Sequence, residues 1–190
     1  MRWVWIGDSI LVDMANWLSA LYVAARGDEL FAYHETGWGV SRWLGEGAVD
    51  TIVRTEKPDV VVIALGTNDV EADQTRFVRS VKDLTTKAKA GGAKIVWIGP
   101  FNSTQRNVWG RSNTAEPWVD GMELAKGLPR TADGVHFADQ ETYKTLADRV
   151  VAAVDKALAN KQRTSAFWLG LGLLAGGLAV AGMWAWRRAG

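Results

Sequence analysis

The chain of 190 residues contains no cysteine, two histidines and four prolines. Without cysteine, disulfides and thiolate metal sites are excluded, which is consistent with a reducing compartment. With only His34 and His136 available, the choice of an imidazole base is narrow. Charge of one sign is also lacking: the formal net charge is +1. Setting aside Arg187 and Arg188 leaves 20 basic residues against 21 acidic ones, so nucleic acid is not an expected partner. The first six residues run into a Gly-Asp-Ser motif and leave no room for a charged and then apolar leader, so no cleavable secretion signal is expected.

Long hydrophobic runs are absent except at one place. Residues 166–186 are 21 positions without a charge, and as a helix they would span about 31 Å, close to the hydrocarbon thickness of a bilayer. Of the 11 tryptophans, Trp168 lies near one end of this stretch, and Trp184 and Trp186 lie near the other. Indole rings favour the headgroup level, so a single transmembrane helix is expected. Lys161 and Arg163 flank one side and Arg187 and Arg188 the other, which leaves the orientation open. Gly172 and Gly176 form a GxxxG pair that could permit helix–helix self-association, or reflect the glycine content common in membrane helices. The expected organisation is a catalytic domain over 1–160, a hinge at 161–165, a membrane helix at 166–186 and a basic tail at 187–190.

The first 160 residues alternate β-rich runs with helical patterns. Strands are expected at 2–6, 29–34, 59–65 and 94–99, with a short last strand within 117–121. Val60-Val61-Val62-Ile63 is an unbroken apolar run, as in a central parallel strand covered on both faces. Helices are expected at about 10–25, 40–56, 73–90 and 139–160. In the last, Tyr143, Leu146, Val150, Val154 and Leu158 form one apolar stripe at spacings of three and four. The alternation implies a parallel sheet between helical layers, with ligands at the carboxyl ends of the strands. Residues 101–115 are polar around Trp109 and read as a loop or short helix over that edge.

Four motifs fall at the predicted carboxyl edge. Gly7-Asp8-Ser9 follows the first strand and opens a helix, where a hydroxyl is exposed and backbone N–H groups point outward. By itself it is an ordinary cap. Gly66-Thr67-Asn68-Asp69 follows the third strand, and Asn68 could donate a side-chain N–H to an oxyanion. Gly37 and Gly39 follow the second strand, where a glycine lets the backbone approach a ligand or simply makes a turn. Asp133-Gly134-Val135-His136 precedes the last helix. An imidazole is poised near neutral pH, and an aspartate three residues earlier can hold its tautomer. His34 is the rival base, at the end of the second strand, where local packing is the plainer reading.

In order, Gly7-Asp8-Ser9, Gly37, Gly66-Thr67-Asn68-Asp69 and Asp133-Gly134-Val135-His136 resemble the four blocks of the SGNH (GDSL-like) hydrolases, over roughly residues 2–160. The stretch after His136, with Tyr143, Leu146 and Ala147, looks like the helix that follows this block. The resemblance implies a three-layer α/β/α fold with a flavodoxin-like parallel sheet. It implies Ser9 as nucleophile, His136 as general base, Asp133 as its orienting partner, and an oxyanion hole from the Ser9 and Gly37 N–H groups and the Asn68 side chain. Gly39 stands as an alternative to Gly37. No cofactor and no metal are implied. Three features depart from the pattern or add to it: the Thr36-Gly37-Trp38-Gly39 block, a short span between the fourth and fifth strands where a family helix is expected to be missing or reduced, and the membrane segment. Asn102, Arg106 and Trp109 are candidate substrate-loop residues.

The implied reaction is two-step acyl transfer on an ester. Small-acyl removal from carbohydrate or peptidoglycan is the leading expectation. A lysophospholipase, a thioesterase or an acyltransferase would use the same residues. A membrane-anchored structural or binding protein, for instance a virion membrane component, is the alternative of another class.

Overall fold

The computed structural model describes residues 1–161. Five parallel strands, β1 (Arg2–Gly7), β2 (Glu29–His34), β3 (Val60–Ala64), β4 (Lys94–Ile98) and β5 (Trp118–Val119), form one sheet in the order β2-β1-β3-β4-β5. Side chains alternate across it. Trp3 and Trp5 of β1, with Val60 and Val62 of β3, pack beneath α1 (Ser9–Ser19) and a last helix, α7, over residues 140–161. Val4, Ile6, Val61 and Ile63 face the other layer, built from α2 (Val40–Gly45), α3 (Ala48–Glu56) and α4 (Gln74–Lys89). Both faces of β3 are thus covered, which is why all five of its residues are apolar and buried. The result is a three-layer α/β/α domain.

The chain leaves β1 in one direction to reach β2 and leaves β3 in the other to reach β4. That reversal opens a crevice at the carboxyl ends of β1 and β3. Gly7 ends β1 there, and an added Cβ would sit 2.6 Å from Leu11 Cβ, so only glycine lets α1 turn back onto the sheet at once.

Three expected elements differ in detail. The helix expected over 40–56 is two helices, because Gly45 and Gly47 separate them and Gly47 adopts φ +64°. The helix expected over 10–25 ends as an α-helix at Ser19 and continues as a π-helical turn, Ala20–Ala24. Between β4 and β5, where a family helix is expected to be missing or reduced, the chain forms the ten-residue α5 (Thr104–Asn113), and the single turn α6 (Gly121–Leu124) follows β5. Its sequence, TQRNVWGRSN, carries no apolar stripe. Ser103 caps it by accepting from Arg106 N at 3.2 Å, and Gly110 lies flat on the Trp118 ring, with an added Cβ only 2.0 Å from the indole. Asn107 faces inward with its polar atoms satisfied: it donates to Pro100 O at 2.8 Å and accepts from Trp118 Nε1 at 3.1 Å.

No helix among the described residues is long and apolar enough to cross a membrane. The expected membrane helix at 166–186, its Gly172 and Gly176, residues 162–165 of the hinge and the basic tail lie outside the described residues.

Candidate active site

Asp8 is the N-cap of α1, accepting from Ile10 N at 3.1 Å. This cap fixes the first turn of the helix and sets Ser9 at the mouth of the crevice. Asp8 is only 2% exposed, and burial pushes its carboxyl up to about 6, against the lowering pull of the Ile10 N–H and of His136.

Ser9 and His136, 127 positions apart, meet: Ser9 Oγ lies 2.8 Å from His136 Nε2. On the other side of the ring, His136 Nδ1 lies 2.6 Å from Asp133 Oδ2. The second oxygen of Asp133 accepts from Thr131 Oγ1 at 2.6 Å, Val135 N at 2.8 Å and His136 N at 3.0 Å. The His136 bond first, then Thr131 and these two N–H groups, hold the Asp133 carboxyl well below the usual carboxylate range. An acceptor held ionised in this way fixes the Nδ1–H tautomer and leaves Nε2 able to take a proton. Gly134, at φ +69°, allows the tight turn between the two residues.

Arg130 supports this loop from below. It donates to Val135 O at 2.6 Å and to Phe101 O at 2.5 Å, with its guanidinium 4.7 Å from the Phe137 ring centroid. It thereby ties the His136 loop to the end of β4. Neither Arg130 nor Thr131 stood out in the sequence, because each acts through a backbone carbonyl or a neighbour two residues away.

Asn68 also reaches the crevice. Its amide donates to Asp8 Oδ2 at 3.2 Å and, more weakly, to Trp38 O at 3.4 Å. Gly37 and Asn68 line a cleft of about 380 Å³ together with Ser41, Arg42, Val70 and Arg76. Gly37 has φ +77°, and nothing occupies the space a Cβ would fill. Gly39 differs: an added Cβ would sit 2.7 Å from the Asp69 carboxyl. That carboxylate is buried and accepts from Val40 N at 2.9 Å, so Gly39 is glycine in order to seat Asp69 against the start of α2. Burial raises the Asp69 carboxyl above its ordinary value.

The substrate-loop expectation needs correction. Arg106 is 8% exposed and turned inward, donating to Asp69 O at 2.9 Å and to Asn102 Oδ1 at 3.4 Å. Asn102 donates to Thr67 O at 3.2 Å. Trp109 is partly buried against the Phe77 layer. Arg106 and Asn102 brace the 66–69 turn, and Trp109 joins the core, because of the two readings of 101–115, loop or short helix, the structure has the helix, and it is packed. The rival base, His34, ends β2, and its side chain makes no hydrogen bond among the described residues.

TesA superposes with a TM-score of 0.67 at 23% identity, covering 83% of this chain and 99% of that one. A protein from Slackia heliotrinireducens assigned to the SGNH hydrolases gives 0.63 at 19%, covering 81% and 98%. An acetyl xylan esterase from Geobacillus stearothermophilus gives 0.64 at 18%, covering 80% and 94%. No protein-family model matches the sequence, and no curated protein matches it. The domain has the SGNH hydrolase fold. At these identities the likeness establishes a shared fold, and chemistry must be argued from the site's own residues.

Proposed function

We propose that the chain is a serine esterase working through an acyl-enzyme formed on Ser9. The single observation that carries this reading is the continuous line of hydrogen bonds from Ser9 Oγ through the His136 ring to Asp133, at 2.8 and 2.6 Å. In the first step His136 Nε2 takes the Ser9 proton as Oγ attacks the ester carbonyl. The imidazolium is stabilised by Asp133 and returns the proton to the leaving alkoxide. Water, deprotonated by the same nitrogen, then attacks the acyl-serine, and His136 passes that proton to the departing Ser9 Oγ as the acid is released. The oxyanion in both steps is held by the Ser9 N–H, the Gly37 N–H and the Asn68 amide. The long Asn68 contact to Trp38 O is the one exchanged for the oxyanion, while the bond to Asp8 keeps the amide oriented.

The substrate we favour is a small acyl group, such as acetyl, on a carbohydrate or peptidoglycan. The cleft beside Gly37 and Asn68 supports this: its lining is mostly polar and charged, with Val70 and Ala72 its apolar side chains, and it suits a hydroxylated acceptor better than a long acyl chain. Residues 166–186 are proposed as a single membrane anchor.

Hydrolysis of p-nitrophenyl acetate and labelling of Ser9 by a serine-directed phosphonate test the chemistry, with Ser9→Ala as control. Wild-type protein that is folded yet neither hydrolyses nor labels would overturn it. A panel of acetylated glycans and lysophospholipids tests the substrate class.

A further inference from the structure

Where α7 ends bears on which substrates the site can meet. The helix begins four residues past His136, at the carboxyl edge of the sheet, and runs over residues 140–161. At 1.5 Å per residue that is about 33 Å, against about 17 Å for a five-residue strand such as β3. It therefore traverses the whole sheet and finishes at the amino edge.

Two ion pairs hold it there. Asp155 is bound by Arg26 at 2.7 Å, and Arg26 lies just before β2. Lys161 is bound by Glu116, which lies just before β5. Glu116 is itself buried, with a side chain 4% exposed, and also takes Lys89 at 2.5 Å from the end of α4. Three chain segments are thus fastened together at the edge opposite Ser9. The apolar stretch starts at residue 166, five Cα steps past Lys161, a reach of about 17 Å fully extended. That is about half the length of α7, so an anchor beginning there cannot return to the carboxyl edge and enters the bilayer from the amino-edge side. Lys57, exposed between α3 and β3, lies at the same edge.

From this placement we infer that the domain stands on the membrane with its amino edge toward the lipid and its Ser9–His136 crevice facing away. The site then takes ester groups on water-exposed polymer, such as an acetylated glycan chain above the membrane, and not ester lipids of the bilayer that holds it. The inference rests on the proposed anchor and, for substrate choice, on the esterase reading.

The absence of cysteine allows a clean test on the full chain. Lys57→Cys, at the amino edge, and Val70→Cys, on the 68%-exposed residue beside the crevice, are each labelled with a fluorophore. Each is then reconstituted into vesicles containing a headgroup-quencher lipid. The label at 57 is expected to be quenched several-fold more than the label at 70. Equal quenching, or stronger quenching at 70, overturns the orientation, and failure to co-float with vesicles overturns the anchor and the orientation with it. In parallel, vesicle-bound wild type should hydrolyse p-nitrophenyl acetate as fast as in detergent and leave lysophospholipid in its own bilayer intact. Turnover of that lipid overturns the substrate inference. Loss of p-nitrophenyl acetate hydrolysis with the expected quenching pattern overturns the esterase reading alone.

Discussion

The Asn68 amide donates to Oδ2 of Asp8 across 3.2 Å, so the residue before the serine and the residue proposed to bind the oxyanion are directly linked. Both stand at the β1/β3 reversal, and the bond spans 60 positions of sequence. An amide held by a buried carboxylate presents its other hydrogen in a fixed direction, which is the preorganisation an oxyanion hole requires. Asn68→Ala is expected to keep the fold, since Asn68 is exposed enough to leave no cavity, and to lower kcat by roughly 100- to 1000-fold. Steady-state kinetics on p-nitrophenyl acetate, with a thermal melt as control, decide it. An effect confined to KM would assign Asn68 to ground-state binding.

The same link predicts a pH signature. Asp8 titrates at about 6 in the fold against 3.8 in the unfolded chain, a difference of about 3 kcal/mol. The folded state binds the proton more tightly, so the cost of ionising buried Asp8 is absent below pH 3.8. It grows as pH rises toward 6 and is fully present above that. Asp8→Asn keeps a capping oxygen for Ile10 N and removes the titration. Its melting temperature relative to wild type should rise between pH 4 and pH 7, and its kcat should fall, because a neutral amide orients Asn68 less firmly. A melting difference independent of pH would mean that Asp8 is not strained by burial.

Asp133 behaves in the opposite sense. Its carboxyl is held low by His136, Thr131 and two backbone N–H groups, yet half of the side chain is open to solvent. Asp133→Asn should therefore leave the melting temperature nearly unchanged near neutral pH. It should reduce kcat by about 10²- to 10⁴-fold, the upper figure being typical where the triad carboxylate is buried. Circular dichroism beside a kcat measurement separates the two effects. An unchanged kcat would show that His136 needs no orienting partner.

The sheet and the line from Ser9 to Asp133 were legible because each rests on a strong local signal. Val60 to Ile63 could only be a strand covered on both faces, and the stripe from Tyr143 to Leu158 could only be a helix against it. The motifs at 7–9, 66–69 and 133–136 each sit at a strand or helix end, where alternation alone predicts the carboxyl edge. What the sequence hid depends on tertiary contacts. Helix α5 has no apolar period and is held by Gly110 against Trp118 and by inward Asn107, so the sequence left loop and short helix equally open and did not show Arg106 and Trp109 as packed. Arg106 reaches Asp69 across 37 positions, and no spacing rule anticipates that. Arg130 acts through the carbonyls of Val135 and Phe101, which any residue carries. Distance from the strand favours Gly37 over Gly39 in the sequence; the left-handed backbone at Gly37 and the Asp69 carboxylate behind Gly39 are differences that only the structure adds.

That difference between the two glycines can be tested directly. At Gly39 an added methyl meets the Asp69 carboxyl at 2.7 Å, and Asp69 is fixed by Val40 N and by the backbone contact of Arg106. Gly39→Ala must displace a buried carboxylate from the start of α2, at about 1–3 kcal/mol, and should lower the melting temperature clearly. At Gly37 the space is empty, and the cost is that of the left-handed backbone at φ +77°, about 1 kcal/mol. Gly37→Ala can relieve this by rotating the peptide that carries the proposed oxyanion donor. It should thus lose kcat out of proportion to its small loss of stability, whereas Gly39→Ala should lose stability first. The ratio of kcat loss to melting shift, measured for both variants on the same acetate ester, reads the assignment. If Gly39→Ala shows the larger ratio, the oxyanion donor is the Gly39 N–H and not that of Gly37.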